Sequence, residues 1–149
     1  MLIWTCTPFD SLSPHALYAV LHLRTEVFVM EQQCPFQDLD CSDDRALHLQ
    51  GLSDKGELLA YSRLFAKGIK YAEASIGRVM TRLDQRRTGL GKVLMHESIA
   101  RCEALWPGEP VRIGAQARLQ RFYEGFGFVV ASAVYLEDGI DHIEMLRAG

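Results

Sequence analysis

The chain has 149 residues, 48% hydrophobic and 23% charged, the size and composition of one compact domain with its own core, which excludes disordered and collagen-like material. Sixteen Lys+Arg against nineteen Asp+Glu give a formal charge of -3, too little basic excess for a nucleic-acid-binding protein that works mainly through phosphate electrostatics. Apolar stretches end within about ten residues, short of the roughly 20 that span a bilayer. The apolar start Met1 to Cys6 has no basic residue before it and no small-residue cleavage site after it, so a soluble, cytoplasmic protein without a secretory leader is expected.

Leu2 to Cys6 reads as an edge strand. Ser13-Pro14 marks a helix start, a capping serine followed by proline at the first helical position, where its missing N–H costs nothing. Leu17, Val20, Leu21, Val27 and Phe28 follow at helical spacing, and the same stripe carries Arg24 and Glu31. Charges are seldom buried unpaired, so these two either pair at the helix rim or line a cavity at its end. Cys34 to Asp44 is acidic, contains Pro35 and reads as a solvated loop with room for one helical turn. Its aspartates lack the glycine and distal glutamate of a calcium-binding EF-hand. The four cysteines form no CxxC pair and the five histidines supply no paired ligands, so reduced thiols and no metal are expected.

From Leu47 onward short apolar runs alternate with turns. Leu47 to Leu52, Leu58 to Phe65 and Ser75 to Leu83 are predicted as strands of an antiparallel meander, with Asp54-Lys-Gly56 between the first two. After Gly89, the stripe Gly91, Leu94, Met95, Ser98, Ile99, Cys102, Leu105 predicts a helix that stops before Pro107-Gly108. Val111 to Ala115 is a strand, Arg118 to Gly125 a helix with Gly127 as its C-cap. Phe128 to Leu136 and His142 to Leu146 are two further strands around Glu137-Asp-Gly139. Nothing in this order interrupts a single α/β domain over residues 1–149.

The stretch Gly77-Arg-Val-Met-Thr-Arg-Leu-Asp-Gln-Arg-Arg-Thr-Gly-Leu-Gly-Lys92 carries the chemistry. A strand runs into a basic, glycine-containing turn and then into the strongest helix, so free backbone N–H groups and the helix dipole converge on one point, which suits a phosphate. Gly89 and Gly91 allow close approach, and Arg86, Arg87 and Lys92 add charge. The turn is not a Walker A loop, because Val93 follows Gly91-Lys92 where Ser or Thr is required. Nor is it the dinucleotide fingerprint, since Leu94 stands at the third glycine.

Arg86-x-x-Gly89-x-Gly91 resembles the R/Q-x-x-G-x-G/A signature of the GCN5-related N-acetyltransferases (GNAT), and Ala117-Arg-Leu-Gln-Arg-Phe-Tyr-Glu-Gly-Phe-Gly-Phe128 resembles that family's A-x-x-x-x-FY-x-x-x-GF element. Leu23-Arg-Thr-Glu-Val-Phe-Val-Met-Glu-Gln-Gln-Cys-Pro35 and Tyr135-Leu-Glu-Asp-Gly-Ile-Asp-His142 look like its ElaA branch. The resemblance covers nearly the whole chain. It implies a mixed, mostly antiparallel α/β sheet with splayed central strands and about four flanking helices, acetyl-CoA as cosubstrate, an amine acceptor, and a homodimer as an option by analogy. It places Val79, Met80 and Thr81 along the pantetheine arm, Arg86, Arg87, Thr88, Gly89, Leu90, Gly91 and Lys92 on the pyrophosphate, Gln116 near the cofactor, and Tyr123 as the acid that protonates the leaving CoA thiolate.

One departure is the apolar Val111 to Ile113, where related enzymes place a glutamate base. Glu31, His48 and His142 are the candidate substitutes, His48 facing the opposite side of its strand from Leu47 and Leu49; each is equally readable as an ordinary structural polar group. Arg24, Arg63, Arg78 and His142 are candidates for the acceptor site, the arginines either binding an acidic acceptor or pairing with the acidic loop. The leading function is N-acetyl transfer by direct attack of an amine on acetyl-CoA. The alternative is a sensor that holds acyl-CoA without catalysis.

Overall fold

The computed structural model describes all residues 1–149. Ile3–Pro8 (β1) is the expected edge strand, antiparallel to Leu47–Leu52 (β2), which with Leu58–Phe65 (β3) and Ala74–Thr81 (β4) forms the expected antiparallel meander. Val111–Gln116 (β5) lies parallel to β4, and Ile140–Arg147 (β8) runs antiparallel to β5. Val129–Val130 (β6) and Tyr135–Glu137 (β7) both pair with β8. The sequence pattern predicts one strand over Phe128 to Leu136; the structure breaks it in two. Between the halves the Glu144 N–H donates to Ser132 Oγ at 2.8 Å instead of to a backbone carbonyl, so the ladder is interrupted.

Three α-helices flank the sheet: Pro14–Arg24 (α1), Leu90–Leu105 (α2) and Gln120–Glu124 (α3). The cap at Ser13 is as expected, its Oγ accepting from the Ala16 N–H at 3.0 Å. The α1 helix continues as a π-helical stretch, Thr25–Glu31, rather than giving way to a further α-helix. Such wide turns recur at functional sites, and this one carries Val27, Phe28 and Glu31 to a cleft described below. No helix is long and apolar enough to cross a membrane.

The two faces of the sheet bury different things. On one, Met95, Ile99 and Cys102 of α2 and Tyr123 of α3 pack with Leu64, Ile76, Val111, Ile113, Ile143 and Met145. On the other, Val20, Leu23 and Val27 pack against Tyr61 and Met80. Beside this smaller cluster the α1 face is polar. Arg24, with no exposed side-chain surface, bonds Asp38 through Nε at 2.9 Å and Asp43 through Nη1 at 2.6 Å. Arg63 bonds Asp40 and Asp43, Lys70 reaches Asp40 at 3.0 Å, and Arg78 Nη2 donates to the Asp38 carbonyl at 2.7 Å. Arg78 Nε lies 2.8 Å from Asp38 Oδ1 but is not aligned for a hydrogen bond. The acidic loop is therefore not wholly solvated, as its composition predicts: Pro35, Gln37, Leu39 and Asp44 are exposed, but Asp38, Asp40 and Asp43 are clamped onto the sheet.

Candidate functional site

β4 and β5 hold register only at Ala74 with Val111 and Ser75 with Arg112. Beyond that pair they diverge, and a cleft of about 760 Å³ opens between them, within the range of small-molecule sites. An irregularity in β4 at Arg78 accompanies the divergence. Arg78 sits at φ +47, where the β3–β4 register slips by a residue, and a bulge of this kind re-aims the strand's polar groups. Val79, Met80 and Thr81 form one wall and Ile113, Gly114, Ala115 and Gln116 the other.

At one end of the cleft lies the α2 N-terminus. Gly89 takes φ +84, and a Cβ there would meet nothing within 4 Å, so the space over it is open. The first helical N–H groups with a backbone acceptor are those of Lys92 and Val93, both on Gly89 O. The N–H groups of Leu90 and Gly91 are left free, which is the arrangement that binds an anionic oxygen. Arg87 and Lys92 form no ion pair. Arg86 does: its guanidinium grips both Glu31 oxygens at 2.9 Å. Glu31, expected as a base, is thus tied to a residue expected on phosphate, and the pair spans the cleft from the π-helical stretch to the turn before α2.

Tyr123 lines the middle of the cleft with 7% of its surface exposed. Its ring sits edge-on to Phe122 and Phe128, and burial pushes its pKa up to about 12, with Arg118 pulling the other way. Gln116 donates to Gln32 Oε1 and accepts from Arg118, both at 3.1 Å, bridging the end of β5 to the chain after the π-helix.

A domain family described as acetyltransferase (GNAT) matches residues 13–147. The chain belongs to the GNAT family. It is 42% identical to protein ElaA of Escherichia coli K12, over 99% of this chain and 97% of ElaA. The crystal structure of Escherichia coli ElaA matches with a TM-score of 0.90 at 41% identity, over 99% of both chains. That of an acyl-CoA N-acyltransferase from Pseudomonas aeruginosa matches with a TM-score of 0.94 at 45% identity, over 99% of this chain and all of that one. The GNAT architecture implies an acyl-CoA cosubstrate, and the open space over Gly89 with its free N–H groups fits a pyrophosphate.

On this GNAT scaffold several expected site residues fall elsewhere. His48 is fully buried and off the cleft; its Nδ1 is 2.6 Å from the Tyr61 hydroxyl and its Nε2 2.9 Å from the Asp43 carbonyl. Burial lowers its pKa, Asp43 opposing and Arg24 and Arg63 assisting. Both ring nitrogens are occupied, so the structure corrects its expected role as a base. Arg24 and Arg63 are likewise inside the Asp38–Asp43 clamp and off the cleft, which corrects their place at the acceptor site. Arg78 lines the cleft but is tied to Asp38. His142 lines it too.

The sequence reading passed over Cys34, Phe36, Glu137 and Asp138, which line the same end of the cleft. The Asp138-Gly139 turn was the available signal: both residues have positive φ, 52° and 75°, as a tight two-residue hairpin requires, and such a hairpin fixes what its flanks present. The Cys34 thiol, 3.3 Å from the Asp138 carbonyl, joins this hairpin to the acidic loop. Behind them a Cβ on Gly114 would lie 2.9 Å from the Tyr71 hydroxyl and 3.1 Å from that of Tyr135. Gly114→Ala is therefore expected to displace both phenols and destabilise the fold by about 1 to 2 kcal/mol, measured by thermal unfolding; an unchanged midpoint would show that the rings swing aside freely.

Proposed function

We propose that the protein transfers an acetyl group from acetyl-CoA to an amine, with direct attack of the amine on the thioester. The observation that carries this is the cleft itself, where strands β4 and β5 part between a free-N–H helix terminus and a buried tyrosine. Leu90 and Gly91 N–H groups, with Arg87 and Lys92, hold the pyrophosphate. The β4 edge at Val79 to Thr81 offers backbone groups to the pantetheine arm, and a strand N–H polarises the thioester carbonyl. Tyr123 gives its proton to the departing sulfur. Residues 1–149 act as one domain in this reading.

The test is calorimetric titration of acetyl-CoA into the wild type and a Gly89→Asp variant, followed by a screen of amines. The added carboxylate enters open space, and aspartate tolerates the left-handed backbone, so the fold is preserved while the pyrophosphate is repelled. Micromolar binding in the wild type and at least about a tenfold loss in the variant are expected. Failure of the wild type to bind any CoA ester would end the proposal. Binding without transfer to any amine in a broad screen would favour a non-catalytic acyl-CoA sensor.

A further inference from the structure

We infer that His142 is the base that takes the proton from the acceptor's ammonium group and that Glu137 positions it; this rests on the acyl-transfer reading above. His142 lies opposite Gln116 of β5 in the β5–β8 register and opposite Tyr135 in the β7–β8 register. That places it on the cleft wall, 8% exposed. Its Nδ1 is 2.7 Å from the Ile140 carbonyl. A carbonyl only accepts, so Nδ1 carries a hydrogen and Nε2 of the neutral ring is a lone pair. That lone pair faces Glu137 Oε2 at 3.4 Å, a second acceptor. Two acceptors converge there, and a proton delivered to Nε2 satisfies both.

The hairpin holds this geometry. Glu137 pairs with Ile140, so it stands diagonal to His142 on the same face of the ladder, within reach of a long side chain. The imidazole stacks on Tyr135 with centroids 5.9 Å apart and planes 30° apart. The other titratable or charged groups around it are the Tyr135 phenol, the Cys34 thiol on the Asp138 carbonyl, Asp138 and Asp141 of the hairpin, and Arg118, held on Gln116. None of these bonds Nε2. The two other candidate bases are spent: Glu31 on Arg86 and His48 on Tyr61 and the Asp43 carbonyl.

The proton balance closes. The ammonium gives one N–H proton to Nε2, and the freed nitrogen lone pair forms the C–N bond as the C–S bond breaks. Sulfur takes the Tyr123 proton, and the second proton leaving nitrogen restores the phenol. The imidazolium beside Glu137 then releases its proton to water, so ammonium and thioester yield amide, thiol and one proton.

The experiment compares acetyl transfer from acetyl-CoA to phenethylamine, protonated at neutral pH, with transfer to hydroxylamine, which is largely unprotonated there. His142→Gln should slow the first on the order of a hundredfold and the second little, and leave the acetyl-CoA KM unchanged. Glu137→Gln keeps the imidazole and should slow transfer to phenethylamine by a smaller factor, again sparing hydroxylamine and the acetyl-CoA KM, because Glu137 acts only by orienting His142. Equal losses with both nucleophiles, or wild-type transfer to phenethylamine in His142→Gln, would overturn the assignment. Side-chain nitrogen NMR needs no acceptor: in the neutral ring Nδ1 should hold the hydrogen and Nε2 be bare, and the opposite tautomer would also overturn it. If acetyl-CoA binds and neither these two nucleophiles nor any amine of the broad screen is acetylated, the acyl-transfer reading fails and this assignment falls with it.

Discussion

Replacing Tyr123 with phenylalanine should lower kcat for acetyl transfer by two orders of magnitude or more while leaving acetyl-CoA affinity within about twofold. The substitution removes one oxygen and keeps the ring that packs edge-on between Phe122 and Phe128, so the α3 end of the core stays filled. The hydroxyl is the only group lost to the cleft. Burial holds it protonated well above neutral pH, so the proton is always present to give. In the proposed mechanism a thiolate leaving beside this buried phenol would itself be poorly solvated, which would drive the transfer although the phenol is a weak acid in water. The check is steady-state turnover with an amine from the screen, beside calorimetry of acetyl-CoA. Wild-type turnover in the variant would take Tyr123 out of the mechanism; a loss of affinity matching the loss of rate would make it a binding residue.

What could be read from the sequence follows from where each signal resides. The meander and α2 are carried by local periodicity and turn residues, and they appear within a residue or two of the expected bounds. The glycine-containing turn with its free N–H groups was legible for the same reason, since Gly89, Gly91 and the helix they lead into are neighbours in the chain. Arg24, Arg63 and His48 were misplaced because their partners, 5 to 23 residues away, arrive from other elements, and hydrophobic periodicity does not display such pairings. The acidic loop has the composition of solvated chain, and only the arrival of three arginines from α1, β3 and β4 makes it a clamp. Arg86 shows the same limit within the recognised motif, because its partner Glu31 lies 55 positions away.

That clamp gives the second large effect. Asp43→Asn should destabilise the protein by about 3 kcal/mol, lowering the thermal midpoint by roughly 10 °C for a chain of this size. Asp43 bonds the fully buried Arg24 and the nearly buried Arg63, and four cations would then share two carboxylates. Asp44→Asn, on an exposed neighbour with no ion pair, should move stability by less than about 0.5 kcal/mol. The pH dependence has a definite sign. Burial alone would raise the Asp43 pKa, but the hydrogen bonds and charges of Arg24 and Arg63 outweigh it and lower it; Asp40 is lowered in the same way by Arg63 and Lys70. Their contribution is complete above the ordinary aspartate range, near pH 4, and is lost as pH falls through the depressed native values. His48 adds an earlier limb. The folded state keeps it neutral by burial, whereas the unfolded chain takes up its proton below about pH 6.5, so stability already declines there. Denaturant unfolding from pH 7 to pH 3 should show both limbs, with the lower one shallower in Asp43→Asn; a flat wild-type profile across that range would remove the clamp as a source of stability. Because Cys34, Phe36 and Asp38 of the clamped loop line the cleft beside the 137–140 hairpin, the acyl-transfer proposal expects the variant also to raise the KM for the amine more than that for acetyl-CoA.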